Sequence, residues 1–128
     1  MAILWDILDT VRRKLAENLD VRTVLIGDGD VPASLLPAAK IVFKSVAMNC
    51  EPSPANISEA RIIIELIFLP KTEQTARMEF IHKAIEALSE IEFFENARIV
   101  SASLLENDEK KSSATIVGIV RWSERSEE

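Results

Sequence analysis

The sequence predicts an α+β domain with the element order α-β-β-β-α-β-β. Its sheet is mixed or antiparallel, with four or five strands and two helices packed on it. Three observations carry this reading. Apolar residues recur at helical spacing near the N-terminus and again in the second half of the chain. Between and after them lie β-branched runs separated by Gly, Pro and Asp turns. One of these runs, EARIIIELIFLP from Glu59 to Pro70, is apolar on both alternations of a strand. Ile62, Ile64, Leu66 and Phe68 fall on one side, and Arg61, Ile63, Glu65, Ile67 and Leu69 on the other. A strand with one wet face alternates more cleanly, so the second side is expected to be covered.

The chain has 128 residues, which fits one domain over residues 1–122 and a charged tail over 123–128, SERSEE, expected to fray. Hydrophobic residues make up 48%, enough for a packed core. The balance of 15 basic and 21 acidic side chains, net −6, argues against a dedicated nucleic-acid binder. The single cysteine, Cys50, excludes an intrachain disulfide and a cysteine zinc site. No run of about 18 apolar residues predicts a membrane span. The opening MAILWDILDT carries acids where a signal peptide carries bases, so it reads as the start of a helix in a cytosolic setting.

The first helix runs from Ala2 to about Asn18. Leu4, Leu8, Val11 and Leu15 form its stripe, broadened by Ile3, Ile7 and Trp5. Val21 to Ile26 is a short strand that ends at the Gly27–Asp30 turn. VPASLLP is a loop or a single helical turn, and Lys40 to Met48 the second strand. EPSPANIS, with two prolines, is a loop, and Glu59 to Leu69 the third strand. Thr72 is the expected N-cap of the second helix, whose core stripe is Met78, Ile81, Ile85 and Leu88, flanked by Phe80, Ala84 and Ile91. Glu79 and Lys83 are spaced as a favourable i,i+4 pair. NARIVSASLLEN and SSATIVGIVRW are the last two strands, joined by a hairpin turn at DEKK.

Two helices lying side by side cover one face of such a sheet. Other strands are also apolar on both alternations. Ile116, Gly118, Val120 and Trp122 oppose Val117 and Ile119, and Ile41 and Phe43 oppose Val42, Val46 and Met48. The uncovered face is then a large apolar patch, the kind that marks an interaction site. At roughly 25 cal/mol per Å², hiding several hundred Å² is worth many kcal/mol before association costs. A second copy of the chain is the simplest cover. Ile63, Glu65, Ile67, Val117 and Ile119 are the candidate interface residues. The alternative is one helix on each face, which buries the sheet within one chain.

The residues that carry chemistry elsewhere are sparse here. His82 is the only histidine and reads as a helix-edge residue, because no His/Cys cluster accompanies it. Pairing it with Cys50 as base and nucleophile has no support in the spacing. GDGD lacks the ligand series of a calcium loop and the helix of a phosphate loop, so it reads as a turn. No catalytic residue, cofactor site or metal site is predicted. Two loops are candidate partner contacts: Asn49, Cys50, Glu51, Ser53 and Asn56 in the first, and Glu106, Asp108, Glu109, Lys110 and Lys111 in the second. For the second, a solvated hairpin tip is the plainer reading. Trp5 and Trp122 are expected to be core or interface anchors.

The leading helix LWDILDTVRRKLAENL, the segment VRTVLIGDGDVPASLLPAAKIVF, the strand EARIIIELIFL, the helix TARMEFIHKAIEALSE and the closing ARIVSASLLENDEKKSSATIVGIVRWSE together resemble the tail terminator proteins of tailed bacteriophages. The likeness spans nearly the whole chain. It rests on size, element order and segment texture, with no catalytic motif. It implies a subunit of a hexameric ring that caps the head-proximal end of a tail tube and joins it to the neck. The implied partners are sister subunits, the tail tube protein, the neck or connector protein and a sheath protein where one exists. DNA passes the lumen without specific binding, and no membrane or cofactor is involved. The location implied is the virion, assembled in the cytoplasm of a bacterial host. Competing readings are a head–tail connector or neck subunit, a non-viral protein-interaction module and, last, an enzyme.

Overall fold

The structure is a computed structural model and describes residues 3–47, 57–69, 72–102 and 113–123. Helix α1 (Ile3–Asn18) is followed by strand β1 (Thr23–Ile26), a 3-10 turn (Ala33–Leu35), β2 (Ala38–Ala47) and β3 (Ile57–Ile67). Helix α2 (Gln74–Ser89), β4 (Phe94–Ala102) and β5 (Ser113–Ser123) complete the order α-β-β-β-α-β-β. The five strands form one mixed sheet in the order β1-β2-β3-β5-β4. β1 and β2 are parallel, and the other neighbours are antiparallel. This is an α+β fold with two helices on a five-stranded sheet.

Both helices lie on the same side of the sheet. Ile7, Leu8, Val11 and Leu15 of α1 share one core with Ile81, Ala84 and Leu88 of α2 and with Ile41, Ile62, Ile64, Leu66, Ile116 and Val120 of the strands. The strand residues are one alternation only. The register pairs Ile41 with Ile64 and Ile64 with Ile116, and partners across a ladder project to the same face. The one-helix-per-face arrangement is therefore not the one adopted. α1 fits because its i, i+4 series Val11 and Leu15 is fully buried, while Arg13 and Glu17 stay exposed.

α2 departs from its predicted stripe. Ile81 and Leu88 are buried, but Met78 is 54% exposed and Ile85 only half-buried. The buried row is Arg77, Ile81, Ala84 and Leu88, one residue earlier at its N-terminal end. Arg77 is admitted because its cation has partners. Its guanidinium carbon sits 5.2 Å from the centre of the Phe68 ring, and its Nε donates to the Thr72 carbonyl at 2.9 Å. Phe80 meets Phe68 edge-on, with ring centres 5.6 Å apart. Thr72 is not the N-cap. Glu73 holds that position in an extended conformation without a side-chain cap, and the Thr72 hydroxyl donates instead to the Leu69 carbonyl at 2.6 Å. The i,i+4 contact formed along α2 brings His82 Nε2 to 3.4 Å from Glu86 Oε2, and Glu79 and Lys83 form no ion pair among the described residues.

Two local features shape the sheet. In β2 the register shifts between Phe43 and Ser45, so Val46 pairs with Ala60, a position on the helix side. The plain alternation expected over Lys40 to Met48 is therefore interrupted in the backbone register. In β5, Gly118 lies beneath the Phe94 ring. A Cβ there would come within 2.1 Å of the ring, so only glycine fits.

Candidate interaction face

The side of the sheet away from the helices carries the second alternation. It comprises Glu59, Arg61, Ile63, Glu65 and Ile67 of β3, Thr115, Val117, Ile119 and Arg121 of β5, Lys40 and Val42 of β2, and Glu95 and Arg98 of β4. All five predicted interface residues are among them. Ile63, Glu65, Ile67, Val117 and Ile119 are each half-buried, whereas Ile62, Ile64 and Ile116 opposite are fully buried. No element among the described residues lies over this face.

The face is apolar at its centre and charged around it. At one end Lys40 and Glu65 are cross-strand partners, with Nζ 3.5 Å from Oε1, and the same Nζ donates to the Asp28 carbonyl. Glu65 is thus part of an internal pair as well as of the candidate interface. At the other end Arg121 bridges Glu59 at 3.2 Å and Glu95 at 2.6 Å. The hydrogen bond that Arg121 donates to Glu59 and the charge of Glu95 together raise the Arg121 pKa further. Between these ends is a depression bordered by Lys44, Arg61 and Arg98, with Ile63, Val117 and Ile119 on its floor. Among the described residues these three cations form no ion pair with a carboxylate, and Arg98 reaches only the Asn96 carbonyl at 3.5 Å.

Sequence reasoning missed Lys44, Thr115 and Arg98 on this face, whereas Val42 falls on the expected alternation opposite Ile41 and Phe43. Lys40, Val42 and Lys44 are spaced by two, so the first part of that signal was present. Arg98 was hidden because β4 is irregular. Its register against β5 shifts twice, between Glu95 and Arg98 and between Ile99 and Ser101, and Asn96 takes a positive φ of 59°. One consequence is that Ile99 pairs with Ile116 on the helix side while the adjacent Val100 lines the open face.

The remaining predicted residues are less gathered. Asn49, Cys50, Glu51, Ser53 and Asn56 lie outside the described residues, as do Glu106, Asp108, Glu109, Lys110 and Lys111 and the tail beyond Ser123. His82 is exposed and paired with Glu86. Trp122 is half-buried at the margin of the core, but Trp5 is 63% exposed and anchors no core. No group of three or more His, Cys, Asp or Glu side chains among the described residues is placed to hold a metal. No helix among them is long and apolar enough to cross a membrane. The chain matches no model of a known protein family, and no curated protein matches it significantly.

Proposed function

We propose that this chain is a structural subunit of a homo-oligomeric ring, of the tail terminator type found in tailed bacteriophages. In this reading six copies cap the head-proximal end of a tail tube. They touch the tube protein on one side and the neck or connector protein on the other, with a sheath protein as a further neighbour in contractile particles. DNA passes through the lumen without specific contact. The subunit is not an enzyme, uses no cofactor, and works in the virion after assembly in the bacterial cytoplasm.

The observation that carries the reading is the one-sided layering. Both helices pack on the alternation of Ile62 and Ile64, leaving Ile63, Ile67, Val117 and Ile119 half-exposed on a five-stranded surface. A half-exposed apolar centre with a charged surround has the composition of a protein interface: fewer charges in the middle, more at the rim. Burying it against a sister copy removes apolar area from water.

Negative-stain electron microscopy of the purified protein tests this directly. Closed six-subunit rings are the expected result. Twelve-fold rings would favour the connector reading instead, and single subunits alone at high concentration would overturn both.

A further inference from the structure

We infer that the open sheet face docks head-to-tail on the α1 side of a second copy, with Trp5 and Asp6 of one copy entering the Lys44–Arg61–Arg98 depression of the next. The inference rests on the ring reading above and adds which surfaces meet.

Three features point to it. The first is the contrast within the open face. Its two ends neutralise their own charges through Lys40–Glu65 and through Arg121 with Glu59 and Glu95. Between those ends the border of the apolar centre does not, and it holds three exposed cations in a chain of net charge −6. A surface with that local sign is attracted to the rest of an identical molecule.

The second feature is symmetry. If two copies met through this face about a two-fold axis, each depression would face its own image. With the axis through the depression, Lys44, Arg61 and Arg98 of both copies would then crowd together, six cations, while the carboxylates of the face, Glu59, Glu65 and Glu95, are already engaged by Arg121 and Lys40 at its ends. Like-charge crowding disfavours the isologous dimer. The face therefore seeks a different surface of the partner, and a heterologous contact of that kind closes into a ring when its rotation allows.

The third feature is a matching surface. Trp5 is the most exposed large hydrophobic residue described, at 63%. Asp6 beside it is exposed and forms no ion pair among the described residues, whereas Asp9, one turn on, is engaged by Arg12 and Arg13. An indole with a carboxylate at its side complements an apolar floor rimmed by cations. Arginine beside an aromatic face adds cation–π attraction, and Trp and Arg are the residues that most often dominate interfaces. Trp5 lies on the helix layer, at a depression it shares with Asp9, Arg12 and Ile26, so the contact runs front to back.

Complementary half-sites test the idea. One variant, Arg61→Glu with Arg98→Glu, spoils the depression. The other, Trp5→Ala with Asp6→Lys, spoils the knob. All four side chains are exposed, so each variant is expected to keep the wild-type circular dichroism, with a slightly lower melting temperature for the knob variant because Asp6→Lys puts a cation in the first turn of α1. Arg61→Gln with Arg98→Gln and Trp5→Ala alone serve as milder versions should either fail to fold. By sedimentation velocity, each variant alone weakens association by about tenfold or more. An equimolar mixture forms a one-to-one complex, because the intact depression of one accepts the intact knob of the other. Added salt weakens that complex. Wild-type-like assembly by either variant, or a mixture that stays monomeric, overturns the head-to-tail contact. If wild type assembles and only Ile63→Asp disrupts it, the ring reading survives without this contact. If wild type never assembles, the ring reading fails and this inference with it.

Discussion

The two faces of the sheet are built from the same strands and nearly the same residue types, yet they sit in different environments. On the helix side, Ile62, Ile64, Leu66 and Ile116 are fully dry beneath α1 and α2. On the open side, Ile63, Ile67, Val117 and Ile119 alternate with them one residue apart and remain half-exposed. Hydrophobicity alone does not distinguish the faces. The charged companions do: the helix face admits Arg77 over an aromatic ring, whereas the open face carries Lys40, Lys44, Arg61, Arg98, Arg121 and three glutamates. A face that mixes Ile and Val with charges is suited to being dry in an assembly and wetted outside it, a compromise that a permanent core does not need.

The difference between the faces is broken most forcefully at the helix side. Ile64→Ala leaves a cavity under both helices and is expected to cost about 2–5 kcal/mol, read by chemical denaturation. A cost below about 1 kcal/mol would mean that the helix side is not the tightly packed one. Arg77→Ala removes a buried stem and a cation packed on Phe68, with an expected loss of about 2–4 kcal/mol in the same assay. Gly118→Ala sharpens the picture from the sheet itself. The new methyl collides with the Phe94 ring, for an expected loss of about 1–3 kcal/mol. Gly118→Ala combined with Phe94→Leu should recover part of that loss, because the smaller side chain makes room.

The smallest effect is electrostatic and lies away from both faces. The Arg12 hydrogen bond, with the charges of Arg12 and Arg13, holds the Asp9 carboxyl below its ordinary value of 3.8. A depressed carboxyl stabilises the fold fully above the unfolded value and loses that contribution as pH falls through the folded one. Asp9 is exposed, so the effect is slight and screened by salt. Asp9→Asn should lower the melting temperature slightly at pH 6 and by less at pH 3. Equal effects at both pH values would contradict the ion-pair origin.

Much of this architecture is legible in the chain because period and packing agree. The 3.6-residue stripe of Leu8, Val11 and Leu15 and the two-residue alternation of Ile116 to Val120 both mark the buried side. The double apolar character of Glu59 to Leu69 leads to the open face without any structure. What escapes the sequence is decided by contacts between distant residues. Arg77 is buried because Phe68, nine residues earlier, gives its cation a surface, so a polarity pattern alone assigns the stripe to Met78. The register of β2 shifts at a bulge that no residue at Phe43–Ser45 announces. The unpaired middle of the open face depends on Lys44, Arg61 and Arg98 converging from three strands, with β5 inserted between β3 and β4, and chain order does not reveal that insertion.

Light scattering of wild type beside Ile63→Asp, with melting curves on both, addresses the central claim most directly. A sister copy covering the open face predicts a six-subunit mass for wild type and a folded monomer for the variant, with cooperative melting in both. A monomeric wild type, or an Ile63→Asp chain that unfolds outright, would contradict it.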